Sequence, residues 1–215
     1  MVRNWVRIVL LVILLAGLST PVLGQDPTIV LNFTARTMGM ENVKTLQYSG
    51  SGSIYDEMGQ HMVMPSYSRQ MDLSAMTTTV KLEQRKGSPP VAETVTMSVT
   101  QSSPWDQQYD FWLTPYGFIK GAMAHNATAA MATVDNEPYR KIEFMLPGNH
   151  KVTGYINKMS MVEKVELSVG NNVLIEGIYH DYADFGGLKV PTIMIRKRAG
   201  KLLQVLIVKD AKPGA

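Results

Sequence analysis

The sequence predicts an α+β fold that is mainly β: a curved antiparallel half-barrel sheet with two or three helices packed on its concave side. Three observations lead to this prediction. Apolar and polar residues alternate along several segments, short turns rich in Gly, Pro and Asn separate them, and two further segments have the spacing of amphipathic helices. The 215 residues are 45% hydrophobic and 18% charged, a composition that fits one globular domain.

The first helix is predicted over residues 30–38. Leu31, Ala35 and Met38 recur on one helical face, and Gly39 follows as a C-terminal stop signal. The segment is therefore expected to bury one side against the sheet.

A second helix is predicted after Thr114, a favourable N-cap, with Pro115 in the first helical position. A dense aromatic patch precedes it, made of Trp105, Tyr109, Phe111 and Trp112. The apolar face of the helix is formed by Phe118, Ile119, Ala122 and Met123. Because such a face must be buried, we expect this helix in the concavity of the sheet.

Strands are predicted where apolar residues occupy every second position. From Thr45 the alternation runs through Gly50 and Gly52, and glycines inside a strand indicate a bend, so this strand is predicted to curve strongly. Further alternating sets are Val80 and Leu82; Val95, Met97 and Val99; Ile142, Phe144 and Leu146; and Val165, Leu167 and Val169. These are expected to be half-buried strands of an antiparallel sheet.

Residues 141–210 are predicted to form a meander of five or six strands with tight connections. Turn signals lie at residues 86–90, 147–149, 170–172, 184–187 and 199–201. The last strand, residues 202–208, is apolar on both faces, so we expect it to be covered on both sides.

Residues 1–24 have the pattern of a secretory signal peptide. Arg3 and Arg7 supply the positive start, residues 8–18 are apolar, and small or tolerated residues precede an expected cleavage at Gln25. The apolar run is too short to span a bilayer, which needs about 20 residues. The predicted organisation is a signal peptide over residues 1–24 and a single half-barrel domain over residues 25–215.

Charge and cysteine content narrow the class of protein further. Two of the 21 basic residues lie in the signal segment, so the remainder nearly balances the 18 acidic residues, which argues against nucleic-acid binding. The chain has no cysteine, so no disulfide can cross-link it and no cysteine can carry a lipid anchor. The hydrophobic core must therefore stabilise the fold. We predict a bacterial periplasmic or secreted protein with no stable membrane span after signal cleavage.

No motif in the sequence indicates catalysis, and no cofactor is expected. The four histidines include no pair at metal-ligand spacing, and His180 with Asp181 and Asp184 is the only local cluster. We interpret it mainly as surface groups beside a turn, with an enzyme built on these three residues as a minor alternative that metal analysis of the purified protein tests. Ser51 lies between two glycines but lacks the strand-turn-helix context of a nucleophile. We therefore predict neither catalytic nor metal-binding residues.

The 15 methionines raise the possibility of an apolar binding cavity, because flexible thioethers suit apolar ligands of varied shape. Methionine also replaces leucine in ordinary cores, so both interpretations stay open. Met97, Met123, Met145 and Met194 are the candidates by their placement. The predicted ligand-binding residues are Val95, Met97, Val99, Trp112, Phe118, Ile119 and Met123.

Five stretches of the sequence form a recognisable set of structural motifs: residues 41–52, 112–120, 154–157, 162–166 and 182–191. Together they resemble a bacterial exported module, the N-terminal domain that precedes the catalytic domain in secreted metallo-beta-lactamase-fold hydrolases. The resemblance runs from about Arg36 to Pro213, and its motifs are structural. The metal-binding histidine motif of the hydrolases does not occur in this sequence, so the resemblance implies no metal chemistry here.

The predicted plan is also similar to that of periplasmic lipoprotein carriers, which hold acyl chains in a half-barrel. That similarity implies an exported, non-catalytic module that binds a lipid, an acyl chain or a hydrophobic partner between sheet and helices. The resemblance to the hydrolase module implies an alternative: an accessory domain that docks onto a hydrolase, in cis or in trans, and positions substrate. A purely structural envelope protein is a further possibility.

Overall fold

The computed structural model describes residues 26–86, 91–169 and 173–214. Outside the described residues lie the predicted signal peptide, residues 87–90 of one predicted turn and the whole predicted turn at residues 170–172. The helices are α1 (Pro27–Thr37), α2 (Trp105–Trp112) and α3 (Pro115–Ala124). The strands are β1 (Thr45–Tyr55), β2 (His61–Asp72), β3 (Thr77–Lys86), β4 (Val91–Val99), β5 (Thr128–Val134), β6 (Glu137–Leu146), β7 (His150–Ile156), β8 (Val162–Val169), β9 (Val173–Phe185), β10 (Leu188–Arg198) and β11 (Lys201–Gly214).

The described strands form one antiparallel sheet in the order β4-β3-β2-β1-β11-β10-β9-β8-β7-β6-β5. The sheet is curved and unclosed, with β4 at one edge and β5 at the other, which confirms the predicted fold class. From β1 to β4 the chain moves outward to one edge, and from β5 to β11 it returns from the other. The connection between the two edges contains α2 and α3, so these helices cross one face of the sheet.

Local sequence signals account for the ends of α1. Asp26 caps the helix, its side chain accepting a hydrogen bond from the Thr28 amide (2.8 Å), and Pro27 occupies the first helical position. The helix therefore begins earlier than the predicted residue 30. Gly39, with φ of +72°, follows the C-cap and provides the left-handed conformation that favours glycine.

The other two helices cover the aromatic segment and the predicted second helix. Thr114 Oγ1 accepts a hydrogen bond from the Gly117 amide (3.0 Å), so α3 begins as predicted. The aromatic patch, for which no helix was predicted, forms α2. Trp105 fixes the first turn of α2 on β8, because its indole Nε1 donates to the Ser168 carbonyl (3.2 Å).

The predicted meander is present as the six strands β6 to β11. β1 carries a register shift between Ser49 and Gly50, in agreement with the predicted bend. The structure adds two strands that were not predicted, β2 and β5. The expectation that the last strand is covered on both sides is wrong: Leu202 and Ile207 are 36% and 40% exposed, since the helices cover one face only.

One half of the sheet is closed by large side chains from α3, which packs on β6 and β8. Phe118 and Ile119 are fully buried there, and the Phe118 ring lies directly on Gly154 of β7, where any Cβ would overlap it. Phe118 and Phe144 also contact each other, with ring centroids 5.8 Å apart. This half of the concavity is therefore filled by the protein's own core.

Candidate functional site

The other half of the concave face contains an open cleft of about 430 Å³. It lies between α2 and the part of the sheet formed by β1 to β4, β10 and β11. We call it the α2 cleft. Its lining residues are Ile54, Tyr67, Arg69, Val80, Leu82, Met97, Ser98, Val99, Asp106, Gln107, Tyr109, Asp110, Arg196, Leu203 and Gln204.

The apolar wall of the α2 cleft follows from strand pairing. Val80 of β3 is paired with Met97 of β4, and Leu82 is paired with Val95, so these side chains share the concave face. Val80 and Leu82 are buried, whereas Met97 is 43% exposed and faces open space. Because β4 is an edge strand, no further strand covers this wall, and the cleft is open to solvent.

The inner end of the α2 cleft is ionic. Asp110 of α2 contacts Arg69 of β2 and Arg196 of β10 through the same carboxylate oxygen, Oδ1, at 3.1 Å and 2.7 Å. Arg69 also donates from Nη1 to the Asp110 carbonyl and from Nε to the Tyr67 hydroxyl, the latter at 2.8 Å. We call Arg69, Asp110 and Arg196 the ionic triad; it connects α2 to the sheet.

The ionic triad is withdrawn from water. The side chain of Arg69 is 3% exposed, that of Asp110 is 12% exposed and that of Arg196 is 15% exposed. Burial alone raises the pKa of Asp110, but the charges of Arg196 and Arg69 outweigh it and lower this pKa below its usual value. The carboxylate therefore stays ionised at neutral pH and pairs with two cations.

Of the seven predicted ligand-binding residues, Met97 and Val99 line the α2 cleft. Val95 is half-buried beside them and packs against the core. Trp112, Phe118 and Ile119 are buried and fill the closed half of the concavity. Met123 is 42% exposed at the end of α3 and belongs to no cavity lining described here. Ligand contact by these residues stays a prediction.

The ionic triad was missed at the sequence level, although a signal for part of it exists. Tyr67, Arg69 and Met71 occupy alternate positions of β2 and are all buried, so Arg69 is a charged residue in the apolar register of a strand. Asp110 likewise lies inside the aromatic patch. Charged groups in such positions need a partner of opposite sign, which predicts their pairing.

The local cluster of His180, Asp181 and Asp184 lies on β9, and Asp184 has a structural role at the turn between β9 and β10. Asp184 accepts a hydrogen bond from the Gly187 amide (2.7 Å) and pairs with Lys189 (2.9 Å). Within residues 26–86, 91–169 and 173–214, no group of three or more His, Cys, Asp or Glu residues is placed to hold a metal ion. None of the described helices is both long and apolar enough to cross a membrane.

Comparisons with solved structures find the same fold in bacterial proteins. The chain is similar to a LolA superfamily protein from Nitrosomonas europaea, with a TM-score of 0.56 and 15% identity over 88% of this chain and 94% of that one. It is similar to a domain from Vibrio parahaemolyticus named for outer membrane lipoprotein sorting, with a TM-score of 0.53 and 9% identity over 88% and 94% of the two chains. A DUF1329 family protein from Desulfovibrio piger gives a TM-score of 0.52 and 9% identity over 89% and 95%.

These similarities place the chain in a LolA-like fold class. No family model and no curated protein matches the sequence. The likeness between the predicted half-barrel and lipoprotein carriers is thus confirmed at the level of the fold. The resemblance to the domain that precedes metallo-beta-lactamase-fold hydrolases stays a prediction.

Proposed function

We propose that this protein is an exported, non-catalytic binding module that holds an apolar chain, such as the acyl chain of a lipid or lipidated partner, in the α2 cleft. The observation that carries the proposal is an open space of about 430 Å³ with an apolar wall on its β3–β4 side, where Met97 is exposed. That volume is within the range of about 300 to 1,000 Å³ typical of small-molecule sites. The wall includes Val80, Leu82, Met97, Val99 and Leu203.

Apolar burial supplies the driving force for this function. A buried methylene contributes about 0.8 kcal/mol, so ten methylenes contribute about 8 kcal/mol before the costs of association and ordering. Met97 is suited to this role because its side chain is flexible and faces the open space at the edge strand β4. The binding surface is thus deformable at Met97 and accepts apolar chains of different shape.

The fold supports the same proposal by analogy. Two proteins with this architecture are named for the LolA superfamily and for outer membrane lipoprotein sorting, and both are covered almost completely in the comparison. A shared fold does not define a ligand, so the analogy supports only a class of ligand. The physical argument for binding an apolar chain comes from the α2 cleft.

Export is the second part of the proposal. The signal pattern in residues 1–24 supports a periplasmic or secreted location. N-terminal sequencing of the protein purified from its native host checks this directly. A mature chain beginning at Gln25 supports export, whereas a retained segment 1–24 in the cytosolic fraction contradicts it.

Titration with a fluorescent fatty acid tests the binding function. We expect saturable binding at one site per chain, weakened at least about tenfold by Met97→Asp, because a carboxylate in the apolar wall must be desolvated against the ligand. Met131→Asp is the matched control, since Met131 is an exposed methionine on the opposite edge strand β5. This variant is expected to bind like the unmodified protein.

Two results contradict the proposal. Saturable binding that both variants weaken equally places the ligand outside the α2 cleft. The absence of saturable binding by the folded protein removes the carrier function and leaves the accessory-domain alternative. That alternative predicts a complex with a metallo-beta-lactamase-fold hydrolase, which co-purification from the native host detects.

A further inference from the structure

The ionic triad at the inner end of the α2 cleft carries more positive than negative charge. Arg69 and Arg196 are both guanidinium ions at neutral pH, whereas Asp110 supplies one carboxylate. The nearby Tyr48 and Tyr179 do not compensate for the second cation, because burial raises the pKa of each and keeps its hydroxyl neutral. Among the described residues that form the ionic triad, two guanidiniums therefore share one carboxylate, which leaves an excess of one positive charge.

The two arginines differ in how fully the protein uses their donors. Arg69 is engaged at all three nitrogens, with Nε bonded to the Tyr67 hydroxyl, Nη1 to the Asp110 carbonyl and Nη2 to the Asp110 carboxylate. Arg196 contacts Asp110 through Nη1, and its guanidinium lies 5.4 Å from the ring centroid of Tyr109. A guanidinium has five N–H donors, so Arg196 retains donors for another acceptor.

Arg196 also lines the α2 cleft, next to the apolar wall. Its side chain is 15% exposed, so it reaches the cleft while most of its surface is shielded from bulk water. A charge-assisted hydrogen bond in such a place is stronger than one at the surface, because the local dielectric is lower. The remaining ionised group in the lining, Asp106, is exposed and lies one turn before Asp110 on α2.

We propose that the ligand of the α2 cleft is an anionic amphiphile, whose carboxylate, sulfate or phosphate group binds Arg196 while its hydrocarbon chain lies on the wall formed by Val80, Leu82 and Met97. This inference rests on the proposed binding function and specifies the chemistry of the ligand. An oxyanion accepts two hydrogen bonds from one guanidinium, and it supplies the negative charge that balances the ionic triad. The apolar wall and the cation then recognise the two ends of one molecule.

Three amphiphiles with the same chain test the inference: dodecanoate, dodecanol and dodecyltrimethylammonium. Each is titrated by displacement of a fluorescent probe, the two ions below their critical micelle concentrations and dodecanol below its aqueous solubility. We expect dodecanoate to bind about tenfold to a hundredfold more tightly than dodecanol, the range for a hydrogen bond to a charged group. The cation is expected to bind most weakly. Acetate and inorganic phosphate, which lack the chain, are expected to compete only at far higher concentrations.

The variant Arg196→Gln is expected to remove the advantage of dodecanoate over dodecanol and to leave dodecanol binding unchanged. Unchanged dodecanol binding also shows that the variant is folded. Arg196→Lys is expected to recover part of the preference, because an ammonium keeps the charge but not the fork geometry. Arg36→Gln is the matched control, since Arg36 is exposed on α1 outside the cleft and the substitution makes the same change in net charge.

The possible results separate this inference from the binding function itself. Dodecanol binding as tightly as dodecanoate, or the cation binding more tightly, overturns the anionic specificity and leaves the apolar binding function in place. A preference for dodecanoate that survives in Arg196→Gln also overturns the assignment to Arg196. Binding of none of the three amphiphiles overturns both proposals, and competition by acetate or phosphate at similar concentrations identifies a plain anion site.

Discussion

Replacement of Asp110 by asparagine is the most direct perturbation of the link between α2 and the sheet. The substitution keeps the size of the side chain and removes its charge. It leaves Arg69 and Arg196 buried without the carboxylate that they share through Oδ1. The expected result is a large loss of stability, because a buried charge without a partner is costly.

The magnitude follows from the burial of the two guanidiniums. Breaking a buried ion pair by removing one partner costs about 3 to 5 kcal/mol. Arg69 is 3% exposed, so its guanidinium stays buried and the cost remains within this range. Arg196 is 15% exposed and can turn toward water, which reduces the cost to the lower half of the range, about 3 to 4 kcal/mol. For a domain of this size, each kcal/mol lowers Tm by about 2 to 4 °C, so a decrease on the order of 6 to 16 °C is expected.

Urea denaturation at pH 7, followed by far-UV circular dichroism, measures the change in the free energy of unfolding. Asp210→Asn is the control, because Asp210 is an exposed residue 3.8 Å from Lys212 and its substitution is expected to change stability by less than about 0.5 kcal/mol. A loss for Asp110→Asn no larger than that of Asp210→Asn refutes the reasoning. Such a result means that the buried guanidiniums are solvated in another way.

The pH dependence of the same difference provides an independent check. The pKa of Asp110 is lower in the folded protein than its unfolded value of about 3.9, so its contribution is fully present above that value and is lost as pH falls through the folded pKa. The stability gap between the unmodified protein and Asp110→Asn is thus expected to be constant from about pH 5 to 7 and to narrow below about pH 4. A gap that widens on acidification contradicts the assigned sign.

Two further predictions concern α3 and the closed half of the concavity. Gly154→Ala is expected to destabilise the protein by about 1 to 3 kcal/mol, because its Cβ overlaps the buried Phe118 ring. The Phe118→Leu background is expected to reduce that cost in a double-mutant cycle, and equal costs in both backgrounds contradict the packing argument. Thr114→Ala is expected to cost about 1 kcal/mol in chemical denaturation, since Oγ1 accepts from the Gly117 amide and donates to the Phe111 carbonyl. Thr114→Ser preserves both hydrogen bonds, so a loss equal to that of alanine argues against a capping role.

The meander was predictable because apolar and polar residues alternate on β6 and β8 and because turn signals lie between its strands. Ile142, Phe144 and Leu146 alternate with polar residues on β6, and the following turn contains Gly148 and Asn149, both at positive φ. Periodicity and turn chemistry indicate the same structure there. Tertiary contacts were not needed to place these strands.

The missed elements are those in which local signals conflict. β2 contains Pro65, and its pairing with β1 shifts register between Gly50 and Gly52, so the apolar residues Met64 and Tyr67 are three positions apart rather than two. In α2 the aromatic side chains have low helix propensity and no side-chain N-cap precedes Trp105. The tertiary contacts of the α2 segment with α3, β3, β4 and β8 stabilise it as a helix.

The position of the α2 cleft could not be predicted from any local sequence pattern. Phe118 and Met97 are both apolar residues on the concave side, yet Phe118 is fully buried and Met97 is 43% exposed. The difference arises because Gly154 allows Phe118 to approach the sheet closely, whereas nothing covers Met97 at the edge strand. Contacts between residues distant in sequence decide which side chains fill the concavity. Hydrophobic periodicity is a local pattern and does not predict such contacts.

The two halves of the concavity differ in the kind of contact that holds their helix. α3 is held by apolar packing, which closes the space beneath it, whereas α2 is held beside the cleft by a hydrogen-bonded ionic triad, whose groups must keep their spacing. Replacing a buried ionic cluster by well-packed apolar residues is often neutral or stabilising. Stability alone therefore gives no reason for two guanidiniums around one carboxylate. The anionic ligand proposed for the α2 cleft gives one, because its negative charge balances the second guanidinium of the ionic triad.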